Sequence, residues 1–319
     1  MAGPGGLKRS VLRALDFIFI LRPTVVIVMW VFFFAGAGLA ARASGGSLSL
    51  LLPSRDVLLG FGAMTAVLGG GCLLNQISDV ETDRVNEKLF FLPRGIISMR
   101  AAWVELAVVW LLAAGLAAPL ASGFRLVLVA SLLLNITYSA RPVRAKSHCP
   151  WDMVWNGLGF GFAAVAAGWA SVAPLSPAII PLGLIYTLAV AGITASTTVL
   201  DVEGDRALGL RTTAAVLGES GASGLTLVLM GAAGIAGAVM FDPLGFFVPV
   251  LSLPLLVRAH VTRDRAHRTA ANQFTVGVFA VVASIRAPYL LVLLALVYFG
   301  SRAYYRARFG FSYPGVGTP

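Results

Sequence analysis

Residues 57–83 read VLLGFGAMTAVLGGGCLLNQISDVETD, and this stretch decides what kind of molecule the chain builds. From Val57 the run carries no charge until Asp79. An α-helix needs about 20 apolar residues to cross a bilayer core, so Val57–Leu74 reads as a membrane span with its end just beyond. Acids then arrive together: Asp79, Glu81, Asp83 and Glu87. On one continuous helix Asn75, Asp79 and Asp83 stand at i, i+4 and i+8, within a stripe about 80° wide.

The same kind of apolar run recurs along the chain. Spans are expected at Phe17–Ala41, Val57–Leu74, Ala101–Leu120, Phe124–Ile136, Met153–Val172, Ala178–Leu200, Gly224–Phe241, Leu244–Val257 and Phe274–Phe299. The last is interrupted by Arg286 and Pro288, so it reads as one kinked helix or two short ones. Composition agrees with a polytopic membrane protein. The chain has 319 residues, 58% hydrophobic and 12% charged, half the charge of an ordinary soluble domain at about 25%. Mean hydropathy is +0.86, which excludes a disordered chain. The 35 glycines follow no collagen period. Cys72 and Cys149 form no CxxC and three histidines form no cluster, so a disulfide framework, a zinc site and haem are not expected.

The net charge of +10 follows the topology. With the N-terminus placed inside, one face receives Lys8, Arg9, Arg13, Arg84, Lys88, Arg94, Arg100, Arg141, Arg144, Lys146, Arg206, Arg211, Arg258, Arg263, Arg265 and Arg268. The other face receives Arg42, Arg55 and Arg125. That asymmetry is the positive-inside pattern, and it calls for no nucleic acid. Nine spans would leave Arg302, Arg306 and Arg308 on the wrong side, and a tenth crossing would return them. Ala41-Arg42-Ala43 resembles a signal-cleavage site, but the preceding run is long and broken by Arg22-Pro23, so the first segment is expected to stay as a helix.

A second acidic group, Asp201, Glu203 and Asp205, closes the sixth span on the same face. Asp201 and Asp205 repeat the i, i+4 step. Either group alone also reads as a solvated helix end with local salt bridges. Two of them, each ending a strongly apolar span on one face, point to function, because carboxylates at such positions are costly. Both stripes offer oxygen ligands only, the donors a hard cation such as Mg²⁺ takes together with substrate phosphates. Facing one another, they can hold Mg²⁺ against a diphosphate, with Lys88, Arg94, Arg206 and Arg211 balancing the phosphate charge. The loop after the fourth span adds Tyr138, Arg141, Arg144 and Lys146 on that face. Tyr138 also fits an interfacial aromatic belt.

With these residues in hand, the chain resembles the UbiA-type intramembrane prenyltransferases. Asn75-Gln76-Ile77-Ser78-Asp79-Val80-Glu81-Thr82-Asp83 matches the family's NxxxDxxxD signature, and Asp201-Val202-Glu203-Gly204-Asp205-Arg206 its second, DxxxD-type signature. Gly209-Leu210-Arg211-Thr212, Leu217-Gly218, Arg22-Pro23 and Tyr138-Ser139 fit as well, so the likeness runs from about position 22 to 218. It implies a single all-α domain over 1–319, about nine transmembrane helices around a central cavity opening to lipid. It also implies Mg²⁺-dependent transfer from a polyprenyl diphosphate donor to a lipophilic or aromatic acceptor. Asn75, Asp79 and Asp83 would form one Mg²⁺–diphosphate site, Asp201 and Asp205 the other. Lys88, Arg206 and the Tyr138 loop would be secondary diphosphate contacts.

Two departures concern the acceptor. Lys88-Leu89-Phe90-Phe91-Leu92-Pro93-Arg94-Gly95 stands where aromatic-acceptor members carry an Arg-Pro-Leu run, and Thr197 where some carry Asn. The Glu203-Gly204-Asp205 form is closer to members acting on lipid, chlorophyll-type or homogentisate acceptors. The expected setting is an integral protein of the plasma membrane with its acidic motifs on the cytoplasmic side. The other class considered is an ion-coupled secondary transporter using the two acidic groups as cation sites. A phosphatidyltransferase is disfavoured, since no DGxxAR motif is present.

Overall fold

A computed structural model of the chain describes residues 4–46, 53–85 and 90–313. Those residues form helices α1 (Pro4–Ile20), α2 (Pro23–Ala43), α3 (Arg55–Val85), α4 (Met99–Ala117) and α5 (Ser122–Ser139). Then come α6 (Trp151–Asn156), a π-helical segment (Gly157–Ala163) and α7 (Ala164–Ala170), which together make one rod. The chain continues with α8 (Ile179–Ala207), α9 (Thr213–Val239), α10 (Pro243–Thr262), α11 (Arg265–Arg286) and α12 (Pro288–Phe309). No named strand occurs among the described residues. Eight of the rods are long and apolar enough to cross a membrane: α2, α3, α4, α5, α6–α7, α8, α9 and α10.

Both ends of the expected span map change. Arg22 adopts the left-handed conformation (φ 55°, ψ 61°), and Pro23 begins a new helix, where its missing N–H is no loss. Phe17–Ile20 therefore belongs to the separate helix α1, and the first span starts at Pro23. At the other end, Phe274–Phe299 is divided. Helix α11 stops at Arg286 and α12 starts at Pro288, because proline disfavours helical backbone before it.

Both halves lie along α2. Phe279 meets Phe32 with ring centroids 5.0 Å apart, and Tyr289 meets Phe34 at 5.2 Å. The α12 helix ends against α1, where Asp16 accepts hydrogen bonds from Tyr304 Oη at 2.5 Å and from Arg308 Nε and Nη2 at 3.0 Å. Phe19 stacks on Tyr304 at 3.8 Å, beside Leu73 and Ile77 of α3. Arg302, Arg306 and Arg308 thus lie toward the end of the bundle that holds the acidic motifs. The return of α12 makes the nine-helix count approximate.

Lipid tails are as apolar as leucine, so helix association in a bilayer rests on close packing rather than on burial from water. The α2–α7 crossing illustrates it. A Cβ on Gly36 would stand 2.0 Å from the Val165 carbonyl oxygen, and one on Gly168 would stand 1.8 Å from that of Phe33. Only glycine permits this backbone approach. Trp30, Phe32, Phe33, Trp169 and Tyr186 fill the core around it.

Candidate active site

The α3 helix runs unbroken through its acids, so Asn75, Asp79 and Asp83 do share one face. Asp83 is buried and the Asp79 side chain is only 16% exposed. From α8, Thr194, Thr197, Thr198, Asp201 and Asp205 line the same cavity of about 590 Å³. Its apolar part is built by Val25, Val28, Val31 and Phe32 of α2, Val190 and Ile193 of α8, and Val276 and Phe279 of α11. The two acidic stripes, 122 residues apart when counted from Asp79 to Asp201, therefore face one space.

The loop after α5 supplies the cations. Arg144, itself left-handed at φ 41°, donates from Nη2 to Asp79 Oδ1 at 2.9 Å, and Lys146 Nζ donates to Asp79 Oδ2. Burial pushes the Lys146 ammonium below the usual lysine value, against the pull of Asp79. Backbone bonds hold this loop to the one after α8: Arg211 N to Ser147 O at 3.0 Å and Cys149 N to Arg211 O at 2.6 Å. Below them Asp152 is buried, accepting from Thr213 N at 2.7 Å and Thr213 Oγ1 at 2.6 Å. The neighbouring Thr212 Oγ1 donates to Asp205 Oδ2 at 2.7 Å. One hydrogen-bonded assembly thus fixes the basic loop and the second acidic stripe relative to one another.

Of the residues singled out from sequence, Asn75, Asp79, Asp83, Asp201, Asp205, Tyr138, Arg144 and Lys146 line this cavity. Four do not. Arg94 is exposed with its guanidinium 5.1 Å from the Phe90 ring centre, and Arg141 is exposed. Arg206 reaches the Ala215 carbonyl at 3.4 Å, and Arg211 borders a separate surface hollow with His148 and Cys149. Lys88 lies outside the described residues. The cavity adds Arg22, Asp152 and Asn156, which were not assigned site roles from sequence. Arg22 carried a signal in its adjacency to Pro23. Asp152, an acid at the start of an apolar span, carried a weaker one. Among the described residues, no three His, Cys, Asp or Glu side chains stand close enough to enclose a metal ion on their own.

A second, narrower space of about 210 Å³ opens from the first between α2, α3, α5 and α6. Arg22, Val25, Asn75, Tyr138, Asn156 and Phe160 border both. At this junction Asn156 Nδ2 donates to Tyr138 Oη at 3.0 Å.

Comparison with known proteins fits this architecture. Residues 28–282 match the model of the UbiA prenyltransferase family. The chain is 28% identical over 181 residues to the bacteriochlorophyll synthase 34 kDa chain of Chloroflexus aurantiacus, covering 56% of this chain and 58% of that one. It is 30% identical over 203 residues to digeranylgeranylglyceryl phosphate synthase of Halobacterium salinarum, covering 61% and 67%. These matches leave a third or more of each relative's length unspanned. In three dimensions it resembles a UbiA homologue from Archaeoglobus fulgidus bound to GPP and Mg²⁺, with a TM-score of 0.67 at 19% identity, covering 88% of this chain and 99% of that one. The chain, an integral membrane bundle, belongs to the UbiA prenyltransferase family.

Proposed function

We propose that this protein transfers a prenyl group from a polyprenyl diphosphate to a lipophilic acceptor within the membrane, in a Mg²⁺-dependent reaction. The observation that carries the reading is the pairing of the two acidic stripes with Arg22, Arg144 and Lys146 at the polar end of one cavity whose remainder is apolar. A diphosphate suits that polar end and a hydrocarbon chain the rest.

Asn75, Asp79, Asp83, Asp201 and Asp205 present hard oxygen donors, which fit Mg²⁺. Mg²⁺ keeps waters and shares substrate phosphates, so donors contributed from two helices would suffice to hold it. Once bound, Mg²⁺ would neutralise charge on the leaving diphosphate. Arg144 and Lys146 bind its oxygens through charge-assisted hydrogen bonds, and Arg22 approaches from the start of α2. As the C1–O bond breaks, its electron pair leaves with the diphosphate. The acceptor nucleophile then bonds to C1, and its proton passes to the diphosphate released. The apolar walls keep water from the allylic cation.

The lipophilic acceptor follows from the bilayer setting and from the names of the relatives, whose products are a bacteriochlorophyll and a glyceryl phosphate lipid. The base asymmetry supports a cytoplasmic orientation of this site, with the plasma membrane as the proposed setting. An ion-coupled transporter would place its acids near mid-span, whereas these close their helices. Membranes carrying the protein should convert labelled geranylgeranyl or farnesyl diphosphate, given an acceptor panel, to a prenylated product with Mg²⁺ and not with EDTA. Full activity in Asp79→Asn or in EDTA would refute the assignment.

A further inference from the structure

Arg211 follows the second acidic stripe closely, yet it borders a separate surface hollow with Val143, His148, Trp151 and Trp155. Its main chain is pinned there: Arg211 N donates to the Ser147 carbonyl, and its own carbonyl accepts from Cys149 N. The side chain is exposed, and no acid forms an ion pair with it among the described residues. Asp205 and Asp152, which flank the hollow in sequence, accept instead from Thr212 and Thr213. Trp151 and Trp155 meet edge to face, ring centroids 5.3 Å apart, at the start of an apolar rod. That is where an interfacial aromatic belt lies.

An apolar groove adjoins this hollow on the bundle surface, between α5 and the rod α6–α7. The two meet where Trp155 Nε1, from the hollow, donates to Thr137 Oγ1, from the groove, at 2.9 Å. Thr137 is the groove's one polar side chain among the described residues, and its hydroxyl also donates to the Leu133 carbonyl at 2.6 Å. Beyond it the walls are hydrocarbon, with Val127, Ala130 and Leu133 on one side and Leu158 and Phe162 on the other. From Thr137 to Val127 is ten residues of helix. At 1.5 Å per residue that is about 15 Å, half of a hydrocarbon core about 30 Å thick. The groove therefore runs from headgroup level to the depth of one leaflet.

We infer that the hollow and the groove together form a site for an anionic phospholipid of this leaflet, its phosphate at Arg211 and one acyl chain along α5. A guanidinium matches the oxygens of a phosphate. No Asp or Glu borders either space among the described residues, so the ammonium of a zwitterionic head finds no carboxylate, and a head with net negative charge is favoured. The site is distinct from the proposed prenyl-donor site, since none of its lining residues borders the main cavity. It still bears on that cavity. The Arg211 main chain is tied to the loop that carries Arg144 and Lys146, so a lipid held at Arg211 braces that loop from outside.

The experiment uses the full-length protein purified in a neutral detergent. Dioleoyl phosphatidylglycerol or dioleoyl phosphatidylcholine is added, and lipid adducts are read by native mass spectrometry. One interfacial base contributes about fivefold to the attraction for an anionic lipid. Phosphatidylglycerol should therefore bind at least about fivefold more tightly than phosphatidylcholine, and Arg211→Gln should remove that preference. The substitution changes an exposed side chain and leaves the main-chain ties, so the fold is kept. Ala130→Phe, at an exposed position of the groove, should weaken the phosphatidylglycerol adduct about tenfold, the effect of a misfit in an apolar pocket. Leu126→Phe, exposed on α5 but not bordering the groove, should leave it unchanged. Equal affinity for the two lipids overturns the inference, and so does normal phosphatidylglycerol binding in Arg211→Gln or in Ala130→Phe. Equal weakening by Leu126→Phe overturns it as well, by showing adhesion to the whole helix surface. Displacement by equimolar geranylgeranyl diphosphate would give the hollow to a prenyl donor instead, and displacement by equimolar inorganic phosphate would show that no acyl chain is held.

Discussion

Asp79 and Arg144 are 65 positions apart in the chain, and their side chains meet at 2.9 Å in the wall of the main cavity. With Lys146 on the other carboxylate oxygen, Asp79 is held between two cations. Both cations are also the groups best placed to take a diphosphate. On the proposed reading, donor binding would exchange one set of charge pairs for another: phosphate oxygens would replace Asp79 on the bases, leaving its carboxylate to help hold Mg²⁺.

That exchange makes the effects of Asp79 and Arg144 interdependent. Asp79→Asn is expected to lower kcat/KM about 10²–10³-fold, and Arg144→Gln about 10²-fold, the range for losing one preorganised electrostatic contact. The double variant should fall well short of the product of the two losses, because each residue acts through the other. Steady-state kinetics of the four proteins measures this, and multiplicative losses would show that the pair is not coupled.

Lys146 sets an alkaline limit. Its pKa is lowered by burial, so in the free enzyme it loses its proton at a lower pH than an ordinary lysine. A neutral amine does not pair with phosphate, so donor affinity should weaken as pH rises through that lowered value. Lys146→Arg keeps its charge throughout and should move the limb to higher pH. A donor Kd profile of identical shape in both proteins would remove Lys146 from the contact.

The Asp152–Thr213 contact is a fastening, and its loss should appear as stability. Asp152→Ala leaves a buried backbone N–H and hydroxyl without their partner, at a cost of about 2–4 kcal/mol. The Tm in detergent should drop accordingly. Thr213→Val keeps the backbone bond and should cost about half as much. Equal melting of all three proteins would contradict the geometry.

The C-terminus can be tested by sidedness. A reporter fused after Pro319 and one inserted at Pro142–Val143 should report the same face of the membrane, since α12 returns to Asp16. Opposite faces would favour the odd-numbered span map.

Much of this was legible locally. The stripes of Asn75, Asp79 and Asp83 and of Asp201 and Asp205 follow from helical periodicity alone, and uncharged runs announce a membrane helix without any tertiary information. Other assigned bases do not line the cavity, for an equally physical reason. Arg94, Arg206 and Arg211 stand near the acids in sequence and Arg141 lies in the loop after α5, but a long side chain points where its backbone directs it. Among the described bases singled out from sequence, Arg144 and Lys146 line the cavity, held there by a loop tied to Arg211 through the main chain.

The amino-acid sequence by itself determined the all-helical membrane class, the two carboxylate stripes and the face on which the bases gather, because each depends on residues within a few turns of one another. The tertiary structure decided which stripe faces which, that Arg22 and Asp152 join the site, and that a small polar branch lies beside the donor cavity. It also decided that α12 brings the last arginines back to the acidic end. Those outcomes depend on contacts between distant segments, such as Gly36 against Val165 and Tyr304 against Asp16, where the fit of two surfaces rather than the pattern along either one selects the arrangement.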